Sequence, residues 1–245
     1  MCVFLSMRAD KSNLQKRFNA EFLEEELFGR KYVQSAFEFP LWPVIPASRP
    51  TEIRLMSWGL VPSWIRDSHS ASEIRKKTVN SRAETLYEKP SFRKAAVSGH
   101  CLVLADGFFE FRELNGKKYP YFIRLRDGRL FAMAGLSESW LDPETGELIP
   151  TFSIVTTVAN PLMAVIHNTK KRMPVILPAE KEKDWLQSGR EGAPLLVPYP
   201  ESEMEAWPVS RLITSRDAPK NRPEVQEPFE YEELSNPGPI QESLF

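Results

Sequence analysis

The second residue of the chain, Cys2, can do chemistry that no interior residue can. Once the initiator Met1 is removed, which a small second residue permits, Cys2 carries a free α-amine and a thiol on adjacent carbons. An α-amine titrates near pH ~8 and a free thiol near ~8.5, so both are partly nucleophilic at neutral pH. Together they capture an aldehyde: the amine forms an imine and the thiol closes a five-membered thiazolidine on the same carbon. Position alone fits an ordinary small residue on a frayed or strand-forming terminus equally well, so the rest of the chain must decide. Glu110 lies among aromatics in Phe108-Phe109-Glu110-Phe111, a setting for acid and base work or for a plain edge-strand glutamate. His167 offers an imidazole that moves protons near neutral pH, or a hydrogen-bonded structural histidine, the reading given to His69 and His100. In Asn80-Ser81-Arg82-Ala83-Glu84-Thr85 an amide can orient a reacting group and a guanidinium can grip phosphate; a turn with an exposed ion pair has the same composition. Trp64, beside Pro62 and Arg66, suits the core or the face of an unpaired base, whereas Trp58 reads as a core anchor. Cys101 lies in an apolar run and reads as a buried, inert thiol. There is neither metal-ligand spacing nor a Gly-rich phosphate loop, so no metal and no cofactor are expected.

The elements that must position these groups are mostly strands. Apolar residues at helical spacing predict an amphipathic helix over 11–28, and prolines at 40, 43, 46 and 50 predict an extended path across a surface. A strand over 52–59 runs into the Trp58 to Trp64 loop, and 89–97 reads as a short basic helix. Strands are expected over 102–106, 108–112, 119–125, 130–136, 151–157 and 204–209. Turns at Asn115-Gly116, Asp127-Gly128 and 142–146 join several of them as hairpins. Asn160-Pro161 marks the cap and first turn of a helix that delivers His167, and 178–187 reads as a last helix. Beyond about residue 216, prolines and glutamates replace apolar periodicity, which predicts a loosely attached segment and a disordered tail.

With 245 residues, 15 Phe, 6 Trp and 21 Pro, the chain can bury a sizeable core and is poorly suited to a helical bundle. Neither a membrane span nor a signal-peptide core is present, so a soluble intracellular protein is expected. A net charge of −1 gives no global case for nucleic acid. Cations nevertheless gather in 66–94, including Arg82, Lys89 and Arg93, a local anion-binding surface or a set of solvated helix faces.

Five stretches in order resemble the SRAP family, the SOS response-associated peptidases or abasic-site processing proteins. They are Met1-Cys2, Trp58-Gly59-Leu60-Val61-Pro62-Ser63-Trp64, the Asn80 to Thr85 block, Ala105-Asp106-Gly107-Phe108-Phe109-Glu110-Phe111, and Ile166-His167 followed by Arg172-Met173-Pro174-Val175-Ile176-Leu177. The resemblance implies an α+β fold, a hairpin-rich branched β-sheet curled into a pseudo-barrel with peripheral helices, over a domain of residues 1–228 with a flexible tail at 229–245. It implies autocatalytic loss of Met1 and a thiazolidine crosslink from Cys2 to the aldehyde of an abasic site in single-stranded DNA. Asn80 would position Cys2 and the sugar, Glu110 would act as acid and base, and His167 would assist proton transfer. Arg82 and Arg172 match phosphate contacts of the family and Trp64 an aromatic at the lesion, and Lys89 and Arg93 of the basic stretch are further DNA-binding candidates. A thiol peptidase using Cys2 and His167, or a noncovalent single-stranded-DNA or clamp adaptor, are the competing functions. The expected setting is the bacterial cytoplasm, associated with the nucleoid, as a monomer. Gln241, Leu244 and Phe245 resemble a peptide that docks on the replication sliding clamp, and a plain apolar chain end matches them equally. Two departures stand out. Val3-Phe4 replaces the family's Gly-Arg, leaving Arg8 as a nearby basic substitute, and residues 168–171 lengthen the connection from His167 to Arg172.

Overall fold

The computed structural model describes residues 2–215 and 219–235; the clamp-like peptide at Gln241, Leu244 and Phe245 lies outside them. Its strands are β1 (Phe4–Met7), β2 (Glu21–Phe22), β3 (Lys31–Ser35), β4 (Leu41–Pro46), β5 (Glu52–Trp58), β6 (Asn80–Arg82), β7 (His100–Ala105), β8 (Gly107–Leu114), β9 (Lys117–Leu125), β10 (Phe131–Leu141), β11 (Leu148–Val158), β12 (Arg172–Pro174), β13 (Ile176–Leu177) and β14 (Met204–Pro208). Short helices lie around them: α1 (Lys11–Phe18), α2 (Ser68–Arg75), α3 (Ala95–Ser98), α4 (Pro161–Ile166), α5 (Glu182–Gln187) and α6 (Glu232–Ser235). Among the described residues no helix is long and apolar enough to cross a membrane.

Hairpins build the sheets where turn chemistry dictates them. Asn115 and Gly116 both take positive φ, 51° and 72°, the left-handed pair a two-residue hairpin needs, and they join β8 to β9. Strands β11, β10, β7, β4 and β5 pair in succession, and a parallel contact between β11 and β5 closes the ring. The barrel is filled by side chains such as Trp42, Trp58, Phe131 and Phe152, all fully buried. A second sheet, in the order β14-β9-β8-β1-β3, branches from it. The chain passes between the two at Asp106-Gly107: β7 ends in the barrel and β8 begins in the second sheet. This is the α+β pseudo-barrel anticipated from the sequence.

Three local expectations are corrected. The helix expected over 11–28 stops at Phe18, because Asn19 takes the left-handed conformation at φ 48° and caps it. The proline-rich stretch is not a surface path but the buried strand β4. Pro43 pairs only with β5 and Pro46 only with β7, so each proline sits where one neighbour is missing and no second rung is lost. The expected helix over 89–97 is turn except for α3.

Over the described residues 219–235 the chain is far from loose. Val225 and Gln226 are buried, and the Gln226 amide donates to Ser6 Oγ and to the Tyr32 carbonyl, both at 2.7 Å. Ser6 in turn donates to Asp106 at 2.6 Å, and Asp106 also accepts from the backbone and guanidinium of Arg8. Lack of apolar periodicity concealed this segment, whose buried residues, Val225 and Gln226, sit side by side in a short turn.

Gly107 tests the junction between sheets. A Cβ there would overlap the Phe122 ring, so Gly107→Ala is expected to destabilise the protein by about 1–3 kcal/mol in urea unfolding, the usual range for overpacking a core.

Candidate active site

The site is assembled from four separate parts of the chain. β1 lies between β3 and β8, antiparallel to both, which carries the chain start into the molecule and leaves Cys2 fully buried. Asn80 opens β6, which runs parallel to β11 along the edge that β5 also uses. Its backbone is pinned from before: the Trp58 indole donates to the Val79 carbonyl at 2.9 Å, and Thr78 Oγ1 donates to the Leu60 carbonyl at 2.7 Å. The Asn80 amide donates to the Cys2 carbonyl at 2.8 Å. That bond fixes the amide's orientation, because a carbonyl can only accept. Asn80 Oδ1 is then buried with no hydrogen-bond partner among the described residues, a state costing about 1–3 kcal/mol and suited to a ligand that donates.

Glu110 and His167 meet from two other elements. Glu110 projects from β8 and is 3% exposed; α4 packs against β8 and ends at His167, 5% exposed. Asn160 caps α4 by accepting from the Met163 amide, with Pro161 in the first turn. His167 Nδ1 donates to the Arg172 carbonyl at 2.8 Å, so Nδ1 carries the hydrogen and Nε2 faces Glu110 Oε2 at 4.0 Å. An oxygen lying between these two groups can bond to both. The Cys2 thiol is pushed well above its usual value, first by burial and then by the charge of Glu110, while the Phe4 amide pulls the other way. At neutral pH this thiol is protonated and needs a base in order to react.

Two cavities border these residues, although the buried Cys2 lines neither. A groove of about 750 Å³ is lined by Lys77, Asn80, Arg82, Thr85, Lys89 and Phe92, among others. A smaller one of about 200 Å³ is lined by Glu110, Phe111, Glu113, Lys118, His167, Thr169 and Lys170. Cys2, Asn80, Glu110 and His167 are thus gathered in one place, with Arg82 and Lys89 beside them. Arg93 is exposed on the following turn but does not line the groove. Trp64 is 50% exposed and precedes Ile65, which lines the same groove. Trp58 is the core anchor expected, stacked on Phe152. Arg172 is bidentate to Glu84, at 2.6 and 2.9 Å, and donates to the Thr156 carbonyl. Arg8 is held by Asp106 and lines neither cavity. The ion pair read for the Asn80 to Thr85 block is made by Glu84 with the distant Arg172, and sequence reasoning missed the positioning roles of Thr78 and Thr156, whose spacing carries no signal. Among the described residues no group of His, Cys, Asp and Glu could hold a metal ion.

A closed barrel with its own chain start buried beside a carboxylate and an imidazole defines a class of protein. The chain belongs to the SRAP family: the family model, SOS response associated peptidase, matches residues 1–216. The abasic site processing protein YoqW of Bacillus subtilis is 39% identical over 234 residues, spanning 93% of this chain and 99% of that protein. HMCES of Gallus gallus, also an abasic site processing protein, is 34% identical over 184 residues, 65% of this chain and 53% of that one. The crystal structure of a protein from Bacteroides thetaiotaomicron matches with a TM-score of 0.87 and 37% identity, over 94% of this chain and 100% of that one.

The Arg172 to Glu84 pair ties the loop after Asn80 to the residue whose carbonyl orients His167. Arg172 holds the Glu84 carboxyl below its usual range. A carboxyl lowered in the folded state adds stability above its unfolded value of about 4.3 and loses it as pH falls through the folded value. Glu84→Gln is therefore expected to cost under about 1 kcal/mol at pH 7, since Glu84 is 46% exposed and screened by solvent. Urea midpoints should converge with those of the parent protein under acid conditions.

Proposed function

We propose that the protein captures abasic sites in single-stranded DNA through Cys2, after Met1 has been removed. The observation that carries this reading is that Cys2 is bonded to Asn80 and lies in the field of Glu110, which faces His167, while Asn80 lines a basic groove and Glu110 and His167 line a second cavity. The names of the related proteins from Bacillus subtilis and Gallus gallus support it.

The ring-opened sugar of an abasic site presents an aldehyde. The α-amine of Cys2 adds to the aldehyde carbon, and the resulting carbinolamine loses its hydroxyl as water, with the proton supplied from Glu110 or His167. The product is an imine. The thiol, protonated because of its burial, then adds its sulfur to the imine carbon while Glu110 accepts the thiol proton and passes it to the imine nitrogen. One C–N and one C–S bond have formed and one water has left. Asn80 holds Cys2 by its carbonyl, and its free Oδ1 accepts from a sugar hydroxyl or the amine. Arg82, Lys89 and Lys77 grip backbone phosphates along the groove, Trp64 and Arg93 extend that surface, and Arg172 contributes when it exchanges Glu84 for phosphate. The same nucleophile and proton carriers suit hydrolysis of the Met1–Cys2 bond, the minimal peptidase activity. In this reading Gln241, Leu244 and Phe245 tether the protein to a sliding clamp.

Intact mass spectrometry after incubation with an abasic oligonucleotide tests the reading. A species lacking Met1 and joined to DNA, one water below the summed masses, is expected from the parent protein and is expected to be absent from Cys2→Ala. Glu110→Gln should form the same species about 10²–10⁴ times more slowly, the usual cost of losing a general acid and base. Equal adduct from Cys2→Ala removes the proposal.

A further inference from the structure

We infer that Lys118 and Lys170 hold a backbone phosphate of the DNA on the Glu110 and His167 side of Cys2, a contact separate from the groove of Arg82 and Lys89. The inference rests on the function proposed above. A sugar inside a strand carries a phosphate on each side. Two cavities with no lining residue in common border the site: one holds Asn80, which bonds the Cys2 carbonyl, and the other holds Glu110 and His167. The larger has Lys77, Arg82 and Lys89 for one phosphate run. The smaller has Lys118 and Lys170.

Both lysines are exposed, and neither is in an ion pair among the described residues. The acids in the same lining are Glu110, which faces His167, and Glu113. The loop that carries Lys170 is built into place. The Asn168 side chain accepts from the Glu113 amide at 2.9 Å and donates to the Glu113 carbonyl at 2.7 Å, docking like a strand residue on β8. Lys171 takes the left-handed conformation at φ 48° and its amide donates to the His167 carbonyl at 2.8 Å, which turns the chain back to β12. Lys118 arrives from β9, where it pairs with Glu113 in register. Two elements thus bring one ammonium each to the mouth of the cavity that holds the proton carriers.

In the free protein Arg8 and Arg172 are each held by an acid, and position 4 carries an aromatic. Arg8 is on Asp106, Arg172 is on Glu84, and Phe4 packs its ring 6.0 Å from that of Phe111. The connection 168–171 and β9 supply the two cations of this lining. Because the contact is ionic, it releases counterions and must show in the salt dependence of capture.

The test is the second-order rate constant of adduct formation with an abasic oligonucleotide across a series of NaCl concentrations. Parent protein, Lys118→Ala, Lys170→Ala and the double variant are compared; each side chain is at the surface, so folding is not at stake. Each lost lysine should reduce the slope of log rate against log salt by about 0.7, and the double variant by about 1.4, as for single strands. A second arm replaces each phosphate flanking the abasic site, one at a time, with a neutral methylphosphonate. At one flank the substitution should slow the parent protein and leave the double variant no slower than before. Unchanged slopes, or losses that simply add at both flanks, overturn this inference while a parent adduct leaves the function standing. Absence of any adduct from the parent protein removes the function and this contact with it.

Discussion

A chain terminus ordinarily frays, and the whole site depends on preventing that here. Cys2 is fully buried although only one residue precedes it, because β1 is paired on both edges and Ser6 is tied to Asp106 and Gln226. Hydrogen bonds on both sides of a four-residue strand replace the length that usually anchors a terminal segment. The bond from Asn80 to the Cys2 carbonyl is the last in this series and the one nearest the chemistry. Everything else in the fold can be seen as support for holding the first residues still. The barrel closes where β11 meets β5, and the same edge of β11 then presents β6 and Asn80.

Burial that holds the chain start also sets its electrostatics. Taking a thiol out of water disfavours its charged form, and a carboxylate nearby adds to that penalty. The fold therefore favours a neutral sulfur beside Glu110 over a standing thiolate. His167 completes the arrangement with a fixed tautomer, since the Arg172 carbonyl holds the hydrogen on Nδ1. Cys101 shows the contrast. It too is buried and pushed upward by burial, but it lies within the barrel core, where its side-chain hydrogen-bond partner is the hydroxyl of Ser137.

Much of this was legible in the chain. Asn115-Gly116 marked its hairpin, Asn160-Pro161 marked the helix that delivers His167, and the five family blocks named all four residues that meet at the site. What stayed hidden depends on long-range pairing. The prolines of β4 read as a surface path because sequence does not reveal which edge of a strand will be paired. Arg8 looked available to a ligand, yet Asp106, distant in sequence, accepts from it twice. Gln226 carries no periodicity at all, and its importance comes from a single amide placed between Ser6 and Tyr32.

The buried start has a consequence for how the protein comes to maturity. An aminopeptidase draws a length of extended chain into its own cleft, and a folded molecule with Cys2 enclosed and β1 paired from Phe4 onward offers none. For a chain folded this way, an enzyme of that kind would meet an extended end only while the nascent chain is still emerging from the ribosome.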